Sequence, residues 1–338
     1  MTLPMRTLGT SGLQITTLGF GSWAVGGGGW SFGWGPQDDQ RSAAAIRRAV
    51  ELGVNWVDTA AVYGLGHSEE VVGRAVRSLP AADRPLIFTK CGLDWDDEQP
   101  MRAPRRIATA LTVRRGCEDS LRRLGLDHID LFQIHWPDES GAAIEDAWAE
   151  MARLRREGTV RAIGVSNFHR PLLDRCEAVA HVDSLQPPFS LLDRMTGGDD
   201  LRWCREHSAG VLCYSPMHTG LLTDTFSAAR VAAMADDDWR RRGSDYREPA
   251  LSRNLALRDG LRPIAQRHGA TVAAVAVAWV LAWPGVSGAI VGARSPEQVD
   301  GWIGAASVQL TDDDLDEVAA LIATTKAGKG PADSRRAG

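Results

Sequence analysis

Short apolar runs rich in β-branched residues alternate with longer amphipathic segments along most of this 338-residue chain. The short runs are typical of buried strands and lie at residues 17–21, 56–58, 86–89, 129–134, 162–165, 184–186, 211–214 and 289–291. The longer segments are typical of helices and lie at residues 39–52, 68–78, 107–124, 144–157, 170–180 and 201–208. This alternation predicts repeated βαβ units and a parallel sheet. A count of about eight strands favours closure into a (β/α)8 TIM barrel over an open sheet.

Three segments do not fit the repeat. Residues 5–17 predict an N-terminal β-hairpin that turns at Thr10-Ser11-Gly12 and plugs one end of the barrel. Residues 220–249 are polar and rich in arginine and aspartate, and they predict a functional loop at the active-site end of the barrel. We expect residues 1–325 to form a single barrel domain and residues 326–338 to form a disordered tail, because the tail is rich in small and charged residues.

Composition limits the expected partners. The formal net charge is -5, and the short basic clusters at residues 102–106 and 240–242 are interpreted as solvated faces, so no nucleic-acid partner is expected. Residues 270–286 are apolar but shorter than the ~20 residues that span a bilayer, which predicts a buried helix and no membrane partner. Five scattered cysteines predict reduced thiols and no metal site, and residues 1–12 lack a signal-peptide pattern, so we expect a cytoplasmic protein. No segment marks a self-complementary surface, so no particular oligomeric state is predicted.

Four ionisable residues stand at or just after the ends of predicted strands: Asp58, Tyr63, Lys90 and His135. The carboxyl ends of the strands in a parallel barrel meet at one mouth, so we expect these side chains to face one another. A phenol has a pKa of ~10, and the ammonium of Lys90 is expected to lower the pKa of Tyr63 into the range of a general acid. Asp58 would hold Lys90 in an ion pair, and His135 would orient a carbonyl group or share in proton transfer. Taken singly, each residue also fits a plain turn, loop, surface or structural role.

Several motifs resemble the signature of the aldo-keto reductases, in the order in which that family carries them. They are Asp58-Thr-Ala-Ala-Val-Tyr63-Gly with Ser68-Glu69, Thr89-Lys90, Gln133-Ile134-His135, Gly164-Val-Ser-Asn-Phe168, and Tyr214-Ser215-Pro216 before Gly220-Leu221-Leu222. The resemblance extends from residue 5 to about residue 308. It implies an eight-stranded barrel that binds an extended nicotinamide cofactor without a Rossmann motif. It also implies that Asp58, Tyr63, Lys90 and His135 form the catalytic tetrad.

The resemblance implies a path for the cofactor across the strand ends. The residues that match those holding the carboxamide are Ser166, Asn167 and Gln186, and the ring that matches the one stacking on the nicotinamide is Tyr214. The residues that match the pyrophosphate loop are Ser215, Pro216, Gly220 and Leu221. Holding the nicotinamide ring in this way would orient it over a carbonyl carbon.

Arg294 is the residue on which the expectation of NADP(H) depends, because a planar guanidinium suits the oxygens of a 2′-phosphate. It lies in the segment Gly292-Ala293-Arg294-Ser295, which with Gln298 matches the part of the family that reads the adenosine. Gly301 and Trp302 stand where the family often carries glutamate and asparagine. Trp302 is expected either to stack on the adenine or to pack in the core, and NAD(H) stays an alternative cofactor.

A glycine-rich segment after the first predicted strand, Gly19-Phe-Gly-Ser-Trp-Ala24, fits a loose dinucleotide fingerprint. That fingerprint requires a helix to begin at once, and the glycine run that ends at Gly29 cannot start one. We therefore interpret residues 23–34, which include Phe32, as a mobile loop over the mouth. Tryptophans of this loop and of two later loops predict an aromatic substrate pocket, with plain packing as the alternative: Trp23, Trp30, Trp34, Trp95 and Trp136.

The sequence thus predicts an NADP(H)-dependent oxidoreductase that reduces a small-molecule aldehyde or ketone to the alcohol by hydride transfer, with Tyr63 as the general acid. An NAD-dependent alcohol or sugar dehydrogenase of the same family is one alternative. A cofactor-binding regulatory subunit without significant turnover is an alternative of another class.

Overall fold

The computed structural model describes residues 2–234 and 238–333. Its strands are β1 (Met5–Thr7), β2 (Gln14–Thr16), β3 (Leu18–Gly21), β4 (Trp56–Asp58), β5 (Leu86–Cys91), β6 (Leu93–Asp94), β7 (Arg105–Arg106), β8 (Ile129–Ile134), β9 (Val160–Ser166), β10 (Ser184–Gln186), β11 (Gly210–Tyr214) and β12 (Val286–Gly292). Its α-helices are α1 (Asp39–Glu51), α2 (His67–Arg77), α3 (Ala110–Leu124), α4 (Ile144–Arg156), α5 (Arg170–Glu177), α6 (Asp199–Glu206), α7 (Ala228–Ala232), α8 (Ala250–Gly260), α9 (Arg262–Arg267), α10 (Val272–Leu281), α11 (Pro296–Trp302) and α12 (Asp312–Thr325).

Eight parallel strands close into a barrel in the order β10-β11-β12-β3-β4-β5-β8-β9, so the predicted (β/α)8 barrel is confirmed. Each predicted strand is present, although β5, β9, β11 and β12 are longer than expected. Helix α3 begins three residues later than predicted, and before it Arg105–Arg106 pairs antiparallel with Leu93–Asp94 in a small ribbon outside the barrel. Capping sets the helix ends: Thr109 and Thr112 form a capping box at the start of α3, and Gly125 ends it at φ 65°.

The N-terminal hairpin of β1 and β2 fills the end of the barrel where the strands begin. Leu8, Leu13 and Ile15 are buried in one cluster with side chains from the barrel interior. Among these is Trp56, whose Nε1 donates to the backbone oxygen of Thr16 at 2.8 Å. The predicted plug is therefore present, and the opposite end of the barrel is left for a site.

Every residue of α10 is buried, as the apolar segment predicted. Among the described residues, no single helix is long and apolar enough to cross a membrane. The consecutive stretches Ala250–Arg267 and Val272–Leu281 reach that length and apolarity only as a pair, bent by 89°.

Residues 326–333 differ from the predicted disordered tail, because their backbone carbonyls bind a buried guanidinium. Arg194 donates from Nε to Pro331 O at 3.1 Å and from Nη2 to Ala327 O at 3.2 Å. Its backbone N–H donates to Lys329 O at 2.9 Å. The last part of the predicted tail, residues 334–338, lies outside the described residues.

Candidate active site

Asp58 and Lys90 form a buried ion pair at the mouth of the barrel, where β4 and β5 end. Their side chains are 4% and 0% exposed, and Lys90 Nζ donates to Asp58 Oδ1 at 2.6 Å and to Thr59 O at 2.9 Å. Burial raises the pKa of Asp58 and lowers the pKa of Lys90, while the attraction between the two charges opposes both shifts. The other carboxylate oxygen, Oδ2, accepts from Gln186 Nε2 at 2.8 Å. The ion pair predicted from the strand ends is thus present in the structure.

Tyr63 lies beside this pair. Lys90 Nζ is 5.2 Å from the centroid of the Tyr63 ring, and the ring meets His135 edge to face at 5.7 Å between centroids. Burial and then the negative charge of Asp58 raise the pKa of Tyr63 well above its usual range. The expectation that Lys90 lowers this pKa is therefore wrong in sign, because burial, the largest cause of the shift, disfavours the charged phenolate. Tyr63 is therefore a protonated phenol at neutral pH.

His135 follows directly after β8, and its backbone N–H donates to Cys91 O at 2.9 Å. Burial, together with the positive charges of Lys90 and Arg106, holds the pKa of His135 well below its usual value. The imidazole is therefore neutral at physiological pH and can donate one hydrogen bond. The structure brings all four predicted ionisable residues together at one mouth.

Two buried polar residues behind these side chains, Gln133 and Glu69, were not predicted from the sequence as part of the site. Gln133 accepts from Gln186 at 3.2 Å, and its own Nε2 is buried without a partner among the described residues. Glu69 is fully buried, accepts from Thr89 Oγ1 at 2.5 Å and pairs with Arg123 Nε at 2.7 Å. Gln133 stands in the apolar run of β8, and this is the signal that marks it, because a buried amide needs specific partners. Glu69 follows Ser68 and precedes Glu70, so its local sequence carries no such signal.

The residues predicted to hold a nicotinamide lie next to one another at the ends of β9, β10 and β11. Asn167, at φ 62°, donates from Nδ2 to His135 O at 3.0 Å and accepts from Tyr214 Oη at 2.7 Å. Ser166 Oγ donates to Gln186 O at 2.8 Å. The following loop turns sharply, with positive φ at Ser215 and at residues 218–220. Amide donors and acceptors beside a tyrosine ring are groups that suit a carboxamide on an aromatic ring, so this donor set fits a nicotinamide.

The predicted adenosine-end residues gather after β12. The backbone N–H of Arg294 donates to Gln298 Oε1 at 2.7 Å, and the guanidinium is half-buried. Burial and the positive charges of Arg240 and Arg41 lower the pKa of Arg294, so three arginines lie close together here. Trp302 is 3% exposed and packs in the main core, which favours packing over stacking on an adenine.

Aromatic rings cover Tyr63 at the mouth. Trp23 stacks on Tyr63 at 6.2 Å and on Trp239 at 5.7 Å, and Trp34 meets Trp23 edge to face at 5.2 Å. Two more of the predicted pocket residues, Trp30 and Trp95, belong to the same apolar cluster as Trp23 and Tyr63. Four of the five predicted tryptophans are thus brought together.

Trp136 lies apart from that stack, under Arg106, whose Cζ is 4.2 Å from its ring centroid. Trp239 was not predicted as a pocket residue, although it is the one tryptophan in the polar segment 220–249, and this was a signal in the sequence. The interpretation of the basic cluster at residues 240–242 as a solvated face is wrong for Arg240. Its side chain is 14% exposed, pairs with Asp238 at 2.7 Å and lies 5.0 Å from the ring centroid of Trp34. Arg240 is part of the mouth because Asp238 and Trp34 hold it there.

Comparisons with known proteins identify the family and agree with the barrel fold. A model of the aldo/keto reductase family matches residues 17–323. The chain is 33% identical over 320 residues to the aldo-keto reductase YhdN of Bacillus subtilis, covering 94% of this chain and 93% of that protein. It is 30% identical over 318 residues to the NADH-specific methylglyoxal reductase of Escherichia coli, covering 91% and 94%. The solved structure of a glycerol dehydrogenase from Gluconobacter oxydans superposes with a TM-score of 0.86 and 36% identity over 97% of each chain.

Proposed function

The chain belongs to the aldo/keto reductase family of oxidoreductases, and on that premise we propose that it reduces an aldehyde or ketone to the alcohol with NADP(H). The observation that carries the proposal is the group formed by the Asp58–Lys90 ion pair, Tyr63 and neutral His135 at one mouth. This group offers a phenol proton, a hydrogen-bond donor and a buried positive charge within a few ångströms of one another. Those are the groups that carbonyl reduction needs on the protein side.

Each residue has a distinct part in the proposed reaction. When bound, a reduced nicotinamide supplies the hydride that the carbonyl carbon accepts. Tyr63 gives its proton to the carbonyl oxygen, and its raised pKa keeps that proton in place until negative charge develops on the oxygen. Neutral His135 donates a hydrogen bond to the same oxygen, and Lys90 stabilises the phenolate that remains. Asp58 holds Lys90 at this position, and Gln186 in turn holds the carboxylate of Asp58.

The residues proposed to hold the cofactor follow from the donor sets at the strand ends. Ser166, Asn167 and Gln186 would hold the carboxamide, and Tyr214 would stack on the nicotinamide ring. The loop from Ser215 to Leu221 would carry the pyrophosphate. Arg294 would bind the 2′-phosphate, a role that its two arginine neighbours favour by adding positive charge.

Replacing Tyr63 by phenylalanine tests the proposed acid. We expect the rate of NADPH-dependent reduction of an aldehyde panel to fall by at least about a hundredfold, because one proton donor is lost while the ring and its stacking stay. The affinity for NADP+, measured by calorimetry, should stay within about twofold, since the phenol is not a proposed cofactor contact. Near-normal turnover in this variant would falsify the assignment of Tyr63.

A second candidate is an NAD-dependent alcohol or sugar dehydrogenase with the same catalytic group. It is favoured by the relative named as an NADH-specific methylglyoxal reductase and by Gly301 and Trp302 at the adenosine end. The two candidates differ in one measurement, the ratio of the dissociation constants for NAD+ and NADP+. A ratio well above one supports NADP(H), and a ratio below one supports the second candidate.

A further inference from the structure

Gln37, in the segment that leads into α1, forms two hydrogen bonds with Arg294, one to its side chain and one to its backbone. Arg294 Nε donates to Gln37 Oε1 at 2.7 Å, and Gln37 Nε2 donates back to the backbone oxygen of Arg294 at 2.9 Å. The same Nε2 donates to Ser42 Oγ at 2.9 Å, and Ser42 is fully buried at the start of α1. Pro36 O accepts from Arg294 Nη2. The side chain of Arg294 is thus fixed by Pro36 and Gln37, which lie more than 250 residues away in sequence.

These contacts leave part of the Arg294 guanidinium available to bind a ligand. Of its five N–H groups, two donate to Gln37 and Pro36, and no acceptor among the described residues reaches the other three. The charges of Arg41 and Arg240 act on the same guanidinium, which makes the surroundings electropositive. An arginine held in one conformation binds an anion more tightly than a free one, because less side-chain entropy is lost on binding.

We propose that Gln37 is the positioning residue that sets the preference for NADP(H) over NAD(H), by holding Arg294 ready for the 2′-phosphate of the cofactor. This inference rests on the proposed function, since it needs a nicotinamide dinucleotide in the barrel mouth. The two cofactors differ only in that phosphate, so a change at Gln37 acts on the affinity for one and spares the other. Sequence alone does not identify Gln37, because its partner Arg294 lies more than 250 residues away along the chain.

The test is a double-mutant cycle in full-length protein, with dissociation constants for NADP+ and NAD+ measured by calorimetry. Gln37→Met keeps the length of the side chain and removes its polar contacts. We expect the dissociation constant for NADP+ to rise about tenfold and that for NAD+ to change less than about twofold. In an Arg294→Ala background, adding Gln37→Met should change neither constant further. The KM for NADPH should rise in parallel while kcat at saturating cofactor stays unchanged.

Gln14→Met is the matched control, because Gln14 donates to Thr7 in the hairpin at the opposite end of the barrel. It should leave both constants unchanged. Gln37→Ala serves as a second variant, and thermal melting verifies that each protein is folded. Equal losses for the two cofactors, or a further loss of NADP+ affinity without Arg294, would overturn the positioning role.

The outcomes also separate this inference from the proposed function. If the unmodified protein prefers NADP+ and Gln37→Met keeps that preference, the inference alone fails. If the unmodified protein binds both cofactors equally, the NADP(H) part of the proposed function fails together with the inference. If it binds neither cofactor, the proposed function itself fails.

Discussion

At the scale of single residues, burial shifts the pKa values of two groups at the mouth of the barrel in opposite directions and keeps both groups uncharged. Tyr63 keeps its proton because burial and the carboxylate of Asp58 disfavour the phenolate. His135 stays neutral because burial and two nearby cations disfavour the imidazolium. A phenol that retains its proton and an imidazole that carries only one proton are complementary toward a carbonyl oxygen, since one can give a proton while the other donates a hydrogen bond. The sequence could place these residues together, but it could not give the sign of the Tyr63 shift, which depends on how much water the folded mouth excludes.

Arg106 offers a direct test of the electrostatics around His135. Its positive charge lowers the pKa of the imidazole, so Arg106→Met should raise that pKa toward the ordinary value. An NMR titration of the His135 ring carbons measures the shift. Arg105→Met is the matched control, because Arg105 pairs with Asp94 and is not among the charges that act on His135. An unchanged or lowered pKa in Arg106→Met would contradict the assigned cause.

At the scale of elements, strand ends position the site and loops complete it. The strands and most helices could be predicted because apolar runs and amphipathic periods are local signals. The stack of Trp239 on Trp23 could not, since it joins two irregular segments more than 200 residues apart whose contact no local pattern encodes. The hairpin is the opposite case: its turn at residues 10–12 predicted a plug, and the structure places Leu8, Leu13 and Ile15 in a cluster with the barrel interior.

The plug should contribute to stability without affecting the chemistry at the other end of the barrel. Ile15 is fully buried, so Ile15→Ala leaves a cavity and should lower the free energy of unfolding by about 2–5 kcal/mol. Chemical denaturation measures this loss, and kcat at a temperature where the variant is folded should stay within about twofold of the unmodified value. Met5→Ala on the same hairpin is the control, because Met5 is 51% exposed and its loss leaves no buried cavity. A large fall in kcat for folded Ile15→Ala would show that the two ends of the barrel are coupled.

At the scale of the whole molecule, the proposed cofactor site draws on four of the eight strands of the barrel. It runs from the ends of β9, β10 and β11 through the loop after Tyr214 to Arg294, beyond the end of β12. The family-level fold and the grouping of the four ionisable residues at one mouth could be predicted because their motifs lie at strand ends in a fixed order. The contacts around the proposed 2′-phosphate site could not, because Gln37 and Arg294 lie more than 250 residues apart in sequence and come together only in the folded barrel.

A ligand that bridges so many strand ends should stabilise the entire barrel when it binds, because it binds the folded state and not the unfolded chain. NADP+ at about 100 times its dissociation constant should add about 2.7 kcal/mol, which for a chain of this length raises Tm by about 4 °C. Differential scanning calorimetry at several NADP+ concentrations measures the shift, which should grow with the logarithm of the concentration. Arg294→Ala should need a higher NADP+ concentration for the same shift, whereas Tyr63→Phe should keep the unmodified dependence because it alters the proton donor alone. A Tm that does not respond to NADP+ or NAD+ at millimolar concentration would contradict the proposed cofactor site as a whole.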